Sequence, residues 1–242
     1  MKKLILSAMV IIAANLHAQT LEKKLPSFKK IVASPKINLV LVEGDEESIK
    51  INYTNIDASK INVKVKNQIL KIYLTGSRFI EKRNRVQHSG EVYKEYAYRN
   101  ASVTAYVTYR KLNKLVVRGE QEIDVQGKIE TRKFKLAAYG GCVITLASLH
   151  TDKLKTSLYG QHTLKIKSGN AKSQKYKLFG ENRIDTQALQ CSEIASTTYG
   201  ESKLKINAQN NLSLFTVGES NVVVTGSPEI SKLTLGEVSI HK

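Results

Sequence analysis

Hydrophobic and polar residues alternate through the second half of the chain, in a pattern that restarts at evenly spaced glycines. Counted from each glycine, even offsets carry apolar or small residues and odd offsets carry polar ones, which is the period of a strand with one buried face. This pattern predicts two strands per repeat that meet at a glycine corner. The glycines lie 21, 20, 20, 20, 18 and 18 residues apart: Gly119, Gly140, Gly160, Gly180, Gly200, Gly218 and Gly236. The fourth residue after each glycine is aliphatic in all seven repeats: Ile123, Ile144, Leu164, Ile184, Leu204, Val222 and Ile240.

A repeat of this length cannot bury its apolar face alone and must stack on its neighbours. Stacked coils pair as parallel strands about 4.8 Å apart, so like residues form columns along the stack. The chain contains no Trp and only three Pro, and its many Val, Ile, Thr and Tyr residues favour strands. We predict an all-β fold with a parallel β-helix, or solenoid, over residues 101–242, and with the right-handed crossovers that parallel strands prefer.

The first half of the chain is predicted to hold a cap and an insertion. Residues 19–75 alternate in short strands separated by turn residues, which indicates an N-terminal β-rich cap or sheet region. Residues 76–100 are charged and irregular, which indicates a loop or insertion.

The N-terminus has the order of a secretory signal peptide. Lys2 and Lys3 precede an uncharged apolar run over residues 4–14, and Ala18 provides a small residue for cleavage. We predict a signal peptide over residues 1–18 and a periplasmic, outer-surface or extracellular mature protein. No later segment reaches 18 consecutive apolar residues, so no transmembrane helix is predicted.

The chain is strongly basic. Its formal charge is +17, and subtracting Lys2 and Lys3 leaves +15 for the mature protein. Such a field concentrates polyanions, which outside the cytoplasm means acidic polysaccharide or lipopolysaccharide phosphate, whereas nucleic acid is the least expected partner. The alternative is a lysine-rich surface that only keeps the protein soluble.

Residues 28–34 and 37–45 (FKKIVAS and INLVLVEGD) resemble the opening of the putative auto-transporter adhesin head GIN domain family. Its repeating motif of glycine, a small residue and a polar residue has counterparts at Gly180-Glu181-Asn182, Gly200-Glu201-Ser202 and Gly218-Glu219-Ser220. The resemblance implies a secreted Bacteroidetes-type protein with a β-helical body. The family name suggests adhesion, but it supplies no catalytic residue, cofactor or ligand.

The residues themselves predict no cofactor, metal site or catalytic centre. The histidines are scattered without metal-ligand spacing, and neither a nucleophile elbow nor a phosphate-binding loop occurs. A polysaccharide lyase or glycosidase is the enzyme alternative, but Asp124 and Asp185 share a column three coils apart, or about 14 Å. A catalytic carboxylate pair needs ~5 to 9.5 Å. A purely structural envelope protein is the third possibility, and the oligomeric state is left open.

Two outward columns on the strand before each glycine are the candidate ligand site. An acidic glycan can pair its carboxylate or sulfate groups with ammonium groups and lay its sugar faces on aromatic rings. The alternative is that stacked rings stabilise the solenoid and exposed lysines prevent aggregation. The lysine column is Lys114, Lys135, Lys155 and Lys175, and the aromatic column is Tyr139, Tyr159, Phe179 and Tyr199, preceded by Arg118.

A column of carboxylates occupies the position directly after the corner glycine on four consecutive coils: Glu181, Glu201, Glu219 and Glu237. It is either a cation-binding ladder or, as we favour, a row neutralised by Arg183 and Lys203.

Cys142 and Cys191 fall in different phases of the repeat, about 10 Å apart along the axis, and a disulfide needs Cα atoms within ~7 Å. We therefore expect two buried, unbridged cysteines.

Intact mass spectrometry of protein from the native host should give a chain that begins at Gln19. This expectation rests on the charged, apolar and small-residue order of residues 1–18. A full-length cytoplasmic species would contradict it and would remove the basis for extracellular partners.

Overall fold

The computed structural model describes residues 19–88 and 91–242, so the predicted signal peptide lies outside the described residues. These residues form strands joined by short turns, with one 3-10 turn at Ala58–Lys60. The strands are β1 Gln19–Lys24, β2 Lys30–Ala33, β3 Asn38–Glu43, β4 Ser48–Thr54, β5 Ile61–Lys66, β6 Ile69–Leu74, β7 Arg83–His88, β8 Glu91–Tyr96, β9 Ser102–Tyr109, β10 Lys114–Gly119, β11 Glu122–Gly140, β12 Val143–Ile166, β13 Gly169–Thr225 and β14 Glu229–His241. Over the described ranges, no helix has the length and apolarity needed to cross a membrane.

The predicted solenoid is confirmed, with about six turns of ~20 residues. Strands β10 to β14 pair in parallel, each with the next turn along the chain. Gly119 pairs with Gly140, which pairs with Gly160, and Gly160 pairs with Gly180. The register is therefore the one that the glycine spacing predicts. Strands such as β13 are long because pairing continues around the corners.

The turn in which β11 pairs with β12 contains three paired stretches rather than the two expected from the sequence. In β11 these are residues 122–125, 128–131 and 133–140, with a shift of register between Val125 and Lys128. The additional bend is hidden in the sequence because the residue types at it differ from turn to turn. Only the glycine corner repeats its residue in every coil from Gly119 to Gly236.

The corner requires glycine for two reasons. Gly160 has φ +125°, a conformation that L-residues with a side chain rarely adopt. A Cβ built on Gly160 would also lie 2.1 Å from the carbonyl oxygen of Gly140, the glycine directly below it. The same approach recurs at Gly180, where the Cβ would lie 2.5 Å from the Gly160 oxygen. Neighbouring coils thus meet backbone to backbone at this corner.

The interior is a column of side chains from the even offsets, and it is not wholly apolar. The aliphatic positions four and six residues after each glycine are buried up to Val224. The position two residues after the glycine is buried as well, but it carries Gln121, Cys142, His162, Asn182, Ser202 and Ser220. The backbone N–H of Cys142 donates to Nδ1 of His162 over 3.1 Å, and burial lowers the pKa of His162, which favours the neutral ring. Cys142 and Cys191 are both buried free thiols.

The N-terminal strands continue the stack. Strand β2 pairs in parallel with β10 and β6, while β3 pairs with β11 and β9. Strands β4, β1 and β5 add antiparallel edges at this end. Residues from Phe28 to Val224 belong to one hydrophobic core, so the strands of residues 19–75 and the solenoid bury their apolar faces together.

Residues 76–100, expected to be a charged loop or insertion, contain a β-hairpin. Strands β7 and β8 pair antiparallel and form a separate two-stranded sheet. The sequence pattern gave no strand signal here because the hairpin has no face in the core and hence no apolar alternation.

Replacing Gly160 by Ala should destabilise the fold by ~3 kcal/mol or more, since it combines a strained φ with a collision against the Gly140 carbonyl. Gly141→Ala is the matched control, because its Cβ would lie 3.3 Å from the flexible Glu120 side chain and at ordinary contact distance, 3.6 Å, from the Gln161 carbonyl oxygen, and Gly141 is not among the positive-φ glycines. We expect the control to change stability by less than about 1 kcal/mol. Urea unfolding measures both, and equal stabilities would contradict the corner requirement.

Candidate functional site

The predicted lysine column forms a row on the outside of the solenoid. Lys114 pairs with Lys135, Lys135 with Lys155, and Lys155 with Lys175. The last three side chains are exposed and Lys114 is half-buried. The row has one lysine per coil, and because neighbouring strands lie about 4.8 Å apart, the lysines repeat at about that distance along the solenoid.

Three more lysines that sequence reasoning did not identify extend this row. Lys30 in β2 pairs with Lys114 and lengthens it by one coil. Lys133 and Lys153 pair with each other two residues before Lys135 and Lys155, and both are exposed. Lys133 and Lys153 lie seven residues before Gly140 and Gly160, and this odd offset indicates that their side chains face outward. Lys30 could not be assigned to the row from the sequence, because the corner of its coil is Pro35 and not a glycine. The Cα of Pro35 lies 3.0 Å from a Cβ built on Gly119.

The lysines repel one another. The pKa of Lys133 is lowered, mainly by the ammonium groups of Lys155 and Lys135. Loss of hydration and the charge of Lys153 contribute less. Four like charges therefore lie within electrostatic reach on one surface. An anion that binds between them relieves this repulsion as well as pairing with each charge.

The predicted aromatic column forms a continuous stack of rings. The centroids of Tyr139 and Tyr159 lie 5.1 Å apart, those of Tyr159 and Phe179 lie 4.8 Å apart, and those of Phe179 and Tyr199 lie 5.2 Å apart. The planes of neighbouring rings differ by only 4 to 7°. The three tyrosines remain 38 to 42% exposed, so ring edges and hydroxyl groups reach solvent.

Cations and further rings lengthen the stack at both ends. The Arg118 guanidinium lies 5.4 Å from the Tyr139 ring and 5.4 Å from the Phe79 ring. At the other end, Phe215 meets Tyr199 edge-on with centroids 5.9 Å apart. Phe79 belongs to the insertion, and no local sequence signal predicts that it contacts Arg118.

A strip of smaller side chains separates the two rows. Ala137 and Ser157 lie in it and are half-buried, and four residues of a strand separate the rows by about 13 Å. Beside the lysine row is a depression of 450 Å³, lined in part by Lys153, Lys155 and Lys175. We call the lysine row, the strip and the aromatic row together the lysine–aromatic face. Its chemistry suits an elongated anion with flat, weakly polar surfaces.

The carboxylates after the corner line a cleft of 270 Å³ on another side of the solenoid. Arg183 donates to Glu181 over 2.6 Å, and Lys203 lines the same cleft. Over residues 19–88 and 91–242, no three His, Cys, Asp or Glu side chains are grouped so as to hold a metal ion. The cation beside Glu181 supports a neutralised row over a cation-binding ladder.

The carboxylates considered for an enzyme are engaged in local contacts. Asp185 lies 3.5 Å from Lys165, and Asp124 accepts a hydrogen bond from Gln126 over 2.9 Å. The register places Thr145 and Lys165 between Asp124 and Asp185 in the column. These two aspartates are therefore not adjacent in the stack.

Comparisons with known proteins identify one family and several similar structures. A family model described as "Putative auto-transporter adhesin, head GIN domain" matches residues 27–228. A putative adhesin from Bacteroides fragilis has a TM-score of 0.71 at 16% identity, covering 93% of this chain and 97% of its own. A putative adhesin from Parabacteroides merdae has a TM-score of 0.66 at 16% identity, with 94% and 96% covered.

A further structure, from Parabacteroides distasonis, is named a putative lipid binding protein. Its TM-score is 0.66 at 15% identity, with 94% and 98% covered. At such identities the likeness concerns the fold alone. No curated protein matches the chain.

Millimolar calcium should leave the melting temperature unchanged, because Arg183 already pairs with Glu181 and Lys203 adds a second cation to the same cleft. A ligand that binds only the folded state must raise the melting temperature. Melting curves recorded with calcium and with a chelator test this, and a reproducible rise in calcium that Glu201→Gln abolishes would establish a cation site.

Proposed function

Because the chain belongs to the family of putative auto-transporter adhesin head GIN domains, we propose that it is an exported, non-enzymatic binding protein that holds acidic glycans on its lysine–aromatic face. The observation that carries the proposal is the pairing of an in-register lysine row with a stack of four parallel rings. Lipopolysaccharide, which carries related anionic groups, is the other expected polyanion.

Electrostatics supports an anionic ligand. The row from Lys30 to Lys175 spans five coils and is broadened by Lys133 and Lys153. A ligand with one acidic group per sugar can place several of these groups against ammonium groups that repeat at about 4.8 Å. Each exposed pair contributes little by itself, so affinity comes from repetition along the row.

The aromatic row supports a sugar polymer over a simple anion. Tyrosine rings present a weakly polar surface and a hydroxyl group that can donate or accept a hydrogen bond. Because both rows run along the solenoid axis, the polymer is expected to lie across the strands. It would contact ammonium groups on one flank and ring edges on the other.

The structural alternative uses the same residues. Stacked rings are worth about 0.5 to 1.5 kcal/mol per pair beyond the area they bury, so the aromatic row stabilises the solenoid whether or not it binds a ligand. The lysine row gives no such benefit, since its members repel. Substitutions in the lysine row therefore separate glycan binding from a purely structural role.

The enzyme alternative, a lyase or glycosidase, has its own test. It predicts that incubation with the glycan produces new reducing ends or unsaturated products.

Replacing Lys135, Lys155 and Lys175 together by Gln should abolish retention on heparin-like or alginate resin at physiological salt, because three of the seven lysines in and beside the row are lost. The matched control is Lys165→Gln/Lys167→Gln/Lys205→Gln, which removes three exposed lysines that follow the glycine corner and lie outside the lysine–aromatic face. Salt elution measures retention, and thermal melting checks that both variants fold.

Two results would count against the proposal. The first is unchanged retention of the row variant. The second is an equal loss in the control, which would mean that the overall charge rather than the lysine–aromatic face binds the resin.

A further inference from the structure

The hairpin β7–β8 is the one part of the described chain that forms a sheet of its own. Its strands pair from Arg83↔Tyr96 to His88↔Glu91 and with no other strand. A two-stranded hairpin is only marginally stable by itself, so its base must be held by the solenoid. Ser34 donates to the Arg78 carbonyl over 2.7 Å, and the Lys82 N–H donates to Ser77 over 2.7 Å.

The two faces of the hairpin differ in exposure. Directly opposed residues of an antiparallel pair share a face, so the register assigns every side chain. On one face all six described side chains are exposed: Arg83, Arg85, Gln87, Val92, Lys94 and Tyr96. On the other face, Val86 and Glu95 are half-buried, while Asn84, Glu91 and Tyr93 are exposed. The six exposed residues are the basic hairpin face.

The charges of the hairpin are sorted between its faces. The basic hairpin face carries Arg83, Arg85 and Lys94 and no carboxylate. Glu91 and Glu95 lie on the opposite face, where Glu95 pairs with Arg99. The cations therefore accumulate on one face of the hairpin and the carboxylates on the other.

Apolar and aromatic side chains lie among these cations. Val92 is 63% exposed and Tyr96 is 44% exposed. The Arg83 guanidinium lies 4.5 Å from the Tyr96 ring and donates to its hydroxyl group. At the base of the hairpin, Phe79 and Ile80 are 65% and 79% exposed. Large apolar side chains held in water next to cations are typical of a surface that meets another phase.

From this arrangement we infer that the basic hairpin face docks on an anionic lipid surface, with Arg83, Arg85 and Lys94 against headgroup phosphates and Val92 and Tyr96 in the interfacial layer. Basic residues beside apolar and aromatic ones are the composition of interfacial membrane binders. Tyrosine favours this layer because one end of its ring is apolar and the other is polar. A soluble polyanion would use the three charges but would leave Val92 without a role.

This surface is distinct from the lysine–aromatic face. It shares no residue with that face, although Arg118 lies against both the Phe79 ring and the Tyr139 ring. A protein bound to a membrane through the hairpin can still present the solenoid to a glycan. The membrane contact therefore stands or falls independently of the proposed glycan site.

Sedimentation with vesicles tests the inference on the full mature chain. The protein should bind vesicles that contain phosphatidylglycerol and should not bind vesicles of phosphatidylcholine alone. Arg83→Gln/Arg85→Gln/Lys94→Gln should weaken binding on the order of 100-fold, from three basic residues near an anionic surface. Lys165→Gln/Lys167→Gln/Lys205→Gln is the control with equal charge and should bind as the unmodified chain does.

Val92→Ser tests insertion separately from charge. It should weaken vesicle binding while leaving retention on heparin-like resin unchanged, because only the lipid contact uses the apolar side chain. Equal melting temperatures establish that all variants fold. Failure of the unmodified chain to bind anionic vesicles, an equal loss in the control with equal charge, or no effect of Val92→Ser would each overturn the inference.

Discussion

Direct stacking of backbone on backbone is the constraint on which the structure depends. At the corner, each glycine from Gly140 onward lies so close to the glycine below that a Cβ would collide with its carbonyl oxygen. This contact fixes the separation of the coils and their register together. Since a shift by one residue would turn every side chain to the other face, the corner also decides which columns are buried and which are exposed.

In-register stacking places like residues side by side whether or not they attract each other. Inside the solenoid this produces aliphatic columns and, toward the later coils, a hydroxyl cluster in which Ser202 and Ser220 lie 2.8 Å apart and Thr216 and Ser220 lie 3.0 Å apart. Outside, it produces a favourable stack of rings but an unfavourable row of lysines. A row that persists despite its repulsion is the kind of feature that a bound anion would compensate.

The hairpin is exempt from this constraint, because β7 and β8 pair only with each other. Its residues are not bound to the solenoid period, and its two faces can differ in charge and apolar content in a way that a stacked column cannot. It is still tied to the solenoid through the base, where Arg118 contacts both Phe79 and Tyr139. The molecule thus carries a periodic surface suited to a repeating ligand and a non-periodic one suited to an interface.

The sequence alone determined the features that repeat locally: the solenoid, the register of Gly119 to Gly180, the buried column at Ile144, and the lysine and aromatic rows. These follow from a two-residue alternation between corners of constant residue type, which needs no knowledge of distant contacts. The tertiary structure decided the rest. Lys30 joins the lysine row only because β2 pairs with β10, and Phe79 reaches Arg118 only because the base of the hairpin folds back onto the solenoid. Such contacts join residues tens of positions apart, and their geometry depends on non-local strand pairing that leaves no periodic trace in the sequence.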